Sequence, residues 1–418
     1  MMIVYNVIFC LLLPIILFKL HTSGSGGRGF GKRWREHFGF IPPVHADKPL
    51  WIHAASVGEV IVAKPLIQAL RAKYPELTLV LTTTTRTGAD EAAKLGNGVI
   101  HRYAPLDCPW MVRLFLRRTR PQALLVIETE RWLNYMLACQ RQQITVVIVN
   151  ARLSPRSFQR YQRFPAFFRL WAEPVQQLLV QHADDAARFR ALGVAEAKLH
   201  ITGSIKFDMT FPDSVVSQGL ALREAWGSRP VWIAASTHQG EDEPVLQAFK
   251  QVLAQMPAAL LVLVPRHPQR FDAVAALCAS QGFSAVRRSV AGQVLPTTQV
   301  YLGDTMGELP LMLAAADVAF VGGSLVPVGG HNLLEPAALG KPCLTGPHYF
   351  NFSDITLQLV QCGGAVVVQD AEALAVQVLD LLQNPGVCQR MGAAAQQVVA
   401  ANRGALQRTL QALEQVLP

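Results

Sequence analysis

Two successive runs of short β-branched segments, each followed by a stretch of helical periodicity, constrain this chain more than any other feature. In the first run, strands are expected at 50–53, 77–82, 123–127, 145–149 and 178–181. Helical stretches lie between them, among them 59–73, 131–141 and 184–192. The second run places strands at 231–235, 259–264, 299–302, 318–321, 342–344 and 365–368, and a helical tail over 371–417. Strands alternating with helices imply βαβ units and parallel sheets. The expected fold class is α/β, with two Rossmann-like doubly wound domains at 49–210 and 211–418 facing a cleft. Ligands of such sheets sit beyond the carboxyl ends of the strands.

Composition narrows the class. With 51% hydrophobic and 16% charged residues in 418, the chain is no disordered scaffold. Residues 1–210 hold 27 Lys+Arg against 14 Asp+Glu, or +13; residues 211–418 hold 11 against 15, or −4, which sum to the formal +9. A basic first half points to an anionic partner: nucleic acid, an acidic membrane surface or a phosphorylated lipid. The seven cysteines, Cys10, Cys108, Cys139, Cys278, Cys343, Cys362 and Cys388, form no C-x-x-C pair. They read as reduced structural thiols, with no zinc spacing.

The segment 1–18 (MMIVYNVIFCLLLPIILF) is apolar apart from Asn6 and Pro14. Arg28, Lys32, Arg33 and Arg35 follow a Gly/Ser stretch in a basic linker over 21–48. A signal peptide would carry its positive charge ahead of the apolar run. The pattern favours a single-pass membrane anchor over 1–20, with the rest of the chain on the cytoplasmic side. An interfacial helix in the headgroup layer is the alternative.

Four groups of residues carry chemistry. His53-Ala54-Ala55-Ser56-Val57-Gly58-Glu59 follows a strand and opens a helix, which puts Glu59 in the first helical turn. Glu59 is a candidate base there, although acidic residues favour that position anyway and the helix dipole would hold its pKa down unless it were buried. Glu128-Thr129-Glu130 ends another strand, as a catalytic pair or a solvated loop. Asn150-Ala151-Arg152-Leu153-Ser154 precedes Arg156, Arg160, Arg163 and Arg169 interleaved with Phe158, Tyr161, Phe164, Phe167, Phe168 and Trp171. Such a mixture suits a phosphate-bearing amphiphile, single-stranded nucleic acid, or an ordinary helix pair with core aromatics. In the second half, Ser236-Thr237-His238, Pro265-Arg266-His267, Met306-Gly307-Glu308, Gly322-Gly323-Ser324 and Gly329-Gly330-His331-Asn332-Leu333-Leu334-Glu335 fall at βα junctions. Together they read as a nucleotide pocket whose glycines could nest a phosphate and whose Glu335 could bind ribose hydroxyls. Neither a dinucleotide fingerprint nor a P-loop is present.

Taken in order, HAASVGE, ETERW with Asn134, NARLSPRS, GSIKFD, ASTHQGEDE, VPRHPQRF, GDTMGELP, GGHNLLEPAALGKP and FNFSD, from residue 53 to 354, closely resemble the Kdo (3-deoxy-D-manno-octulosonic acid) transferases of lipopolysaccharide assembly. One departure is Arg131-Trp132-Leu133-Asn134, where the family usually has Leu-Trp-Pro-Asn. The resemblance implies a GT-B fold, an acceptor-binding catalytic first domain and a CMP-sugar-binding second domain. It implies CMP-Kdo as donor and the bisphosphorylated tetraacyl disaccharide precursor of lipid A as acceptor. It implies inverting transfer, with Glu59 as base, Glu128 as a second catalytic carboxylate and Lys206 stabilising the departing phosphate. Pro265, Arg266, Met306, Gly307, Glu308, Asn332, Leu333, Leu334 and Glu335 carry over as CMP contacts. No metal or other cofactor, no nucleic acid and no protein partner is expected; an anionic inner-membrane surface is. The rivals are a GT-B transferase using a UDP-sugar on a lipid acceptor, and a membrane-tethered anionic-lipid-binding module without turnover.

Overall fold

The computed structural model describes residues 2–22, 32–130, 132–209, 211–290 and 292–417, with the side chains of 19–22 excepted. Arg28, the Gly/Ser stretch and Arg131 of the departing motif lie outside the described residues. The chain divides into two compact units, Met1–Asp208 with Arg403–Pro418, and Met209–Asn402.

The first unit is built on a seven-stranded parallel sheet. Its strands are β1 (Leu50–His53), β2 (Leu79–Thr83), β3 (Val99–Tyr103), β4 (Ala123–Ile127), β5 (Thr145–Ala151), β6 (Gln177–Val180) and β7 (Leu199–Ile201), in the order β3-β2-β1-β4-β5-β6-β7. Helices cover both faces, so β1, β2, β4 and β6 are buried along their whole length. The pleat sends alternate residues to opposite cores. Trp51, Leu124, Val126 and Val146 pack on one side with Phe115, Tyr135, Phe168 and Trp171. Leu50, Ile52, Leu125 and Val147 pack on the other with Leu66, Ile67 and Leu70.

The second unit repeats the scheme with β8 (Val231–Thr237), β9 (Leu260–Pro265), β10 (Ala285–Arg287), β11 (Val300–Leu302), β12 (Val318–Val321), β13 (Cys343–Thr345) and β14 (Ala365–Val367). All pairings are parallel, in the order β10-β11-β9-β8-β12-β13-β14. Trp232 and Ala234 face one core, Val231 and Ile233 the other.

Three strands carry no sequence signal: β3, β7 and β10. All lie at sheet edges. The VIHRY of β3 is half-buried at every position, so it lacks the continuous apolar run that marks an inner parallel strand. The helical tail expected to close the second domain divides. Ala371–Gln383 and Pro385–Asn402 stay with the second unit, while Ala405–Glu414 belongs to the first. There the Asp208 carboxylate accepts the main-chain N–H of Gly404 and Leu406. Arg408 Nε donates to Thr202 O at 2.8 Å, and Lys73 pairs with Glu414.

The N-terminal segment forms the helix Met2–Thr22. It docks on the first unit through one face. Phe9 is buried against Leu106, Cys108 and Met111, with Tyr5, Leu13 and Ile16 packed around them. The Tyr5 hydroxyl donates to Asp107 Oδ2 at 2.5 Å, and Asn6 Oδ1 accepts from Asn134 Nδ2 at 2.9 Å. Asn6, an interruption in the apolar pattern, is therefore a docking group. The other face is exposed, with Ile3, Val4, Leu11, Ile15 and Phe18 more than half accessible. The single-pass anchor expected over 1–20 finds no support: among the described residues, no helix is long and apolar enough to cross a membrane.

Candidate functional site

In the first sheet the strand order reverses between β1 and β4, the switch point at which an open α/β sheet binds its ligands. The segments leaving these two strands carry Glu59 and Glu128. Glu59 opens the helix Val57–Lys73, whose N-cap is Ser56. Ser56 Oγ accepts the Glu59 N–H at 3.4 Å. The carboxylate reaches back to accept the Ala55 N–H on Oε2 at 2.5 Å and the Ser56 hydroxyl on Oε1 at 3.1 Å. This resembles a capping box, except that Glu59 takes the N–H of the residue before the N-cap together with the N-cap hydroxyl. The side chain is 7% exposed. Burial pushes its carboxyl up to about 7; Glu130 and, less, Glu128 add to the rise, while the Ala55 N–H and Ser56 hydroxyl oppose it. The restraint expected from the helix start is outweighed by desolvation. A carboxylate in that range exchanges a proton readily near neutrality.

Glu128 has φ +60°, a left-handed conformation unfavourable to a side chain. Its N–H donates to Val149 O at 2.8 Å. Lys206 Nζ lies 2.8 Å from Glu128 Oε1. The lysine rides on the short turn Ile205–Phe207. That turn is fixed by Asn150 Oδ1, which accepts the Ile205 N–H at 3.1 Å. Asn150 is fully buried, has φ +59° and sits where the β5 and β6 register shifts between Ile148 and Ala151. A bulge re-aims the residues after it; the β5 exit lies beside the β4 exit because the two strands pair as far as Ile127 and Val149. Thr129 Oγ1 accepts the Arg152 N–H at 2.9 Å and donates to Arg152 O. Trp171 Nε1 donates to Glu130 O at 3.1 Å. A cavity of about 290 Å³ opens here, lined by Glu128, Thr129, Glu130, Arg152, Leu153, Ser154 and Ser157.

The aromatic residues of the arginine-rich segment divide. Tyr161, Phe168 and Trp171 belong to the core, whereas Phe164 is exposed. Arg156, Arg160, Arg163 and Arg169 are exposed around it.

In the second sheet the order reverses between β8 and β12. Ser236, with φ +59°, sits at another register shift, between Ala235 and Thr237, just before His238. His238 Nε2 and His331 Nε2 are 2.8 Å apart. Arg266, exposed, donates its N–H to Thr237 O at 3.0 Å. Pro265 ends β9. Asn332 Oδ1 accepts the Leu334 N–H at 3.1 Å. Burial pushes the Glu335 carboxyl up to about 6, against the Arg266 charge and the Asn332 hydrogen bond. The side chains of Leu333 and Leu334 are fully buried, which leaves only main chain at these positions to meet a ligand. Met306 is exposed and Gly307 takes φ +86°. Glu308 is held by Arg288, with Nη2 to Oε1 at 2.8 Å and Nε to Oε2 at 3.1 Å.

The Gly322-Gly323-Ser324 part of the expected phosphate nest is already filled. The carboxylate of Glu241, fully buried, accepts the N–H groups of Gly323 (2.6 Å), Ser324 (2.9 Å), Leu325 (2.8 Å) and His238 (2.8 Å). The glycine-rich loop after β12 thus wraps an internal anion. No local sequence signal marks Glu241 for this role, because three of its partners lie more than 80 residues away. Asp107 and Arg288 also escape a sequence reading, since their partners Asn134 and Glu308 lie in other segments of the chain.

Comparison with known proteins bears on both units. Residues 32–209 match a family model described as 3-deoxy-D-manno-octulosonic-acid transferase, and residues 243–398 one described as glycosyl transferases group 1. A 3-deoxy-D-manno-octulosonic acid transferase of Haemophilus influenzae is 41% identical over 99% of this chain and 98% of its own length. The chain belongs to the Kdo transferase family. A second member, from Bordetella pertussis, is 39% identical over 89% of this chain and 88% of its own. Among solved structures, the UDP-GlcNAc 2-epimerase of Neisseria meningitidis shares the fold, with TM-score 0.57 at 15% identity over 88% of this chain and 100% of its own. As a Kdo transferase the chain is a glycosyltransferase, and the switch points of its two sheets are where its chemistry is to be sought.

Proposed function

We propose that the chain transfers Kdo from CMP-Kdo onto the bisphosphorylated tetraacyl disaccharide precursor of lipid A, with inversion at the anomeric carbon. The observation that carries this reading is Glu59, a buried carboxylate with its pKa raised to about 7 at a switch point, beside the Glu128–Lys206 pair. Glu59 takes the proton of the acceptor hydroxyl, whose oxygen attacks the anomeric carbon. The bond from that carbon to the CMP phosphate breaks, and its electron pair leaves with the phosphate. Lys206, oriented by Glu128, offers positive charge to the developing anion. Pro265, Arg266, the turn Met306-Gly307-Glu308, Asn332, the main chain at Leu333 and Leu334, and Glu335 hold the CMP. A carboxylate at Glu335 suits ribose hydroxyls, and Arg266 suits phosphate. A monophosphate leaving group has no pyrophosphate for a divalent ion to bridge, so we assign the reaction no metal.

The acceptor's lipid tails call for a membrane surface, and we place the enzyme on the anionic cytoplasmic face of the inner membrane. The helix Met2–Thr22 lies along the first unit with one apolar face outward, the geometry of an interfacial helix. Trp110 and Phe164 are also exposed, and their neighbours Phe38 and Phe167 pack against the helix or its contacts. Arg113, Arg117, Arg160 and Arg163 supply charge for lipid headgroups and acceptor phosphates.

Mass analysis of the product formed from freshly generated CMP-Kdo and the tetraacyl precursor tests the reaction and counts the sugars added. Protection against thermal unfolding by UDP but not by CMP would overturn the donor assignment in favour of a UDP-sugar transferase.

A further inference from the structure

We infer that His238 and His331 form a phosphate-responsive pair in the donor site: without nucleotide the two rings hydrogen-bond to each other, and when the CMP phosphate arrives they part, each turning an Nε2–H to it, with uptake of one proton. The inference rests on the CMP reading above and deepens it.

The geometry is specific. The Nε2 atoms are 2.8 Å apart, with the ring centroids 5.0 Å apart and the ring planes within 17° of parallel. One ring donates and the other accepts, so a single proton occupies the contact. Two imidazolium rings could not keep it. Both side chains are partly exposed, on segments that follow the two strands flanking the switch point. The site is shaped around them. Gly323 has φ +68°, and a Cβ there would lie 2.9 Å from His331 Cδ2 and 3.1 Å from its Nε2. Any side chain at 323 would displace the ring. The His238 main chain is fixed by Glu241.

The charged and titratable surroundings are mostly cationic. His267 meets His238 edge-on at 5.0 Å, and Arg266 and Arg270 lie near. Arg270 is paired with Asp242, and Glu241 is committed to four N–H groups. Burial, then the charges of His238, Arg266 and His267, hold His331 down to about 4; His238 is lowered by burial, then by His267, Arg270 and Arg266, with Glu241 opposing. The pair is therefore neutral until an anion enters, and an anion reverses the balance. The CMP-Kdo diester carries one negative charge. As the anomeric C–O bond breaks, its electron pair adds a second, and the proton already taken from solvent meets it as imidazolium.

Calorimetric titration of the full-length protein with CMP at pH 8, in buffers of different ionisation enthalpy, measures the proton directly. The expected result is uptake approaching one proton per CMP bound, and none with cytidine. His331→Gln and His238→Gln should each abolish the uptake and weaken CMP at least tenfold, with cytidine affinity unchanged. CMP binding without proton uptake, or uptake unchanged in both variants, overturns the inference and leaves the CMP reading standing. Failure to bind CMP at all, with UDP bound instead, overturns both.

Discussion

Lys206 Nζ and Glu128 Oε1 stand 2.8 Å apart, each side chain about a third exposed. They join two segments that have no contact in sequence, and each is held in place by a strained or bulged backbone. Neutralising either should cost about 10²-fold in kcat, the usual scale for losing one charge-stabilising group. Because they act as a unit, the Glu128→Gln, Lys206→Met double variant should lose little more than either single one. Steady-state kinetics on the four proteins of the cycle would check this; additive losses would dissolve the unit.

Glu59→Gln should remove at least two orders of magnitude in rate while leaving CMP affinity intact. In the wild type, kcat/KM should rise with pH through about 7 and then level as the base loses its proton. Stability runs the other way. The folded pKa lies above the ordinary 4.5, so the fold favours the protonated carboxyl; that advantage is full below about 4.5 and disappears as pH rises toward 7. The variant should match wild-type thermal stability at pH 4 and exceed it at pH 8, by about 3 kcal/mol at most.

Glu241→Ala should unfold the donor loop. It leaves the N–H groups of His238, Gly323, Ser324 and Leu325 without their acceptor, at about 1–3 kcal/mol for each that stays dry. Calorimetric melting should show the loss, and CMP should no longer protect the protein.

Leu11→Asp with Ile15→Asp alters only the exposed face of the N-terminal helix. Sedimentation with vesicles containing anionic lipid should show binding reduced by about tenfold or more, with the melting temperature unchanged. Tyr5→Phe, on the docked face, should instead cost about 1–3 kcal/mol of stability, since Asp107 loses a donor. Equal effects from the two faces would contradict the assigned orientation.

The inner strands were legible because burial on both faces leaves unbroken apolar runs, and β1, β4 and β12 fall on the segments expected. Of the four edge strands, β3, β7 and β10 were not, because they are spared from the core over much of their length; β14, with its apolar Ala365–Val367, was. Glu59 and Glu128 were legible as candidates because strand exits are where ligands meet a parallel sheet. The pairing of Glu128 with Lys206 was beyond pattern, since it depends on a buried asparagine 55 residues from the turn it holds. The glycines misled in one respect: a loop fitted to an anion reads alike whether that anion is a ligand or the protein's own glutamate.

The docked face of the N-terminal helix has a practical corollary. Trimming residues 1–22 to make a more tractable protein would strip Asp107 of its tyrosine, Asn134 of its asparagine, and Leu106 and Met111 of their cover. The shortened chain would trade one oily surface for another and add an orphaned carboxylate, so detergent or nanodisc preparations of the intact polypeptide are the sounder starting material.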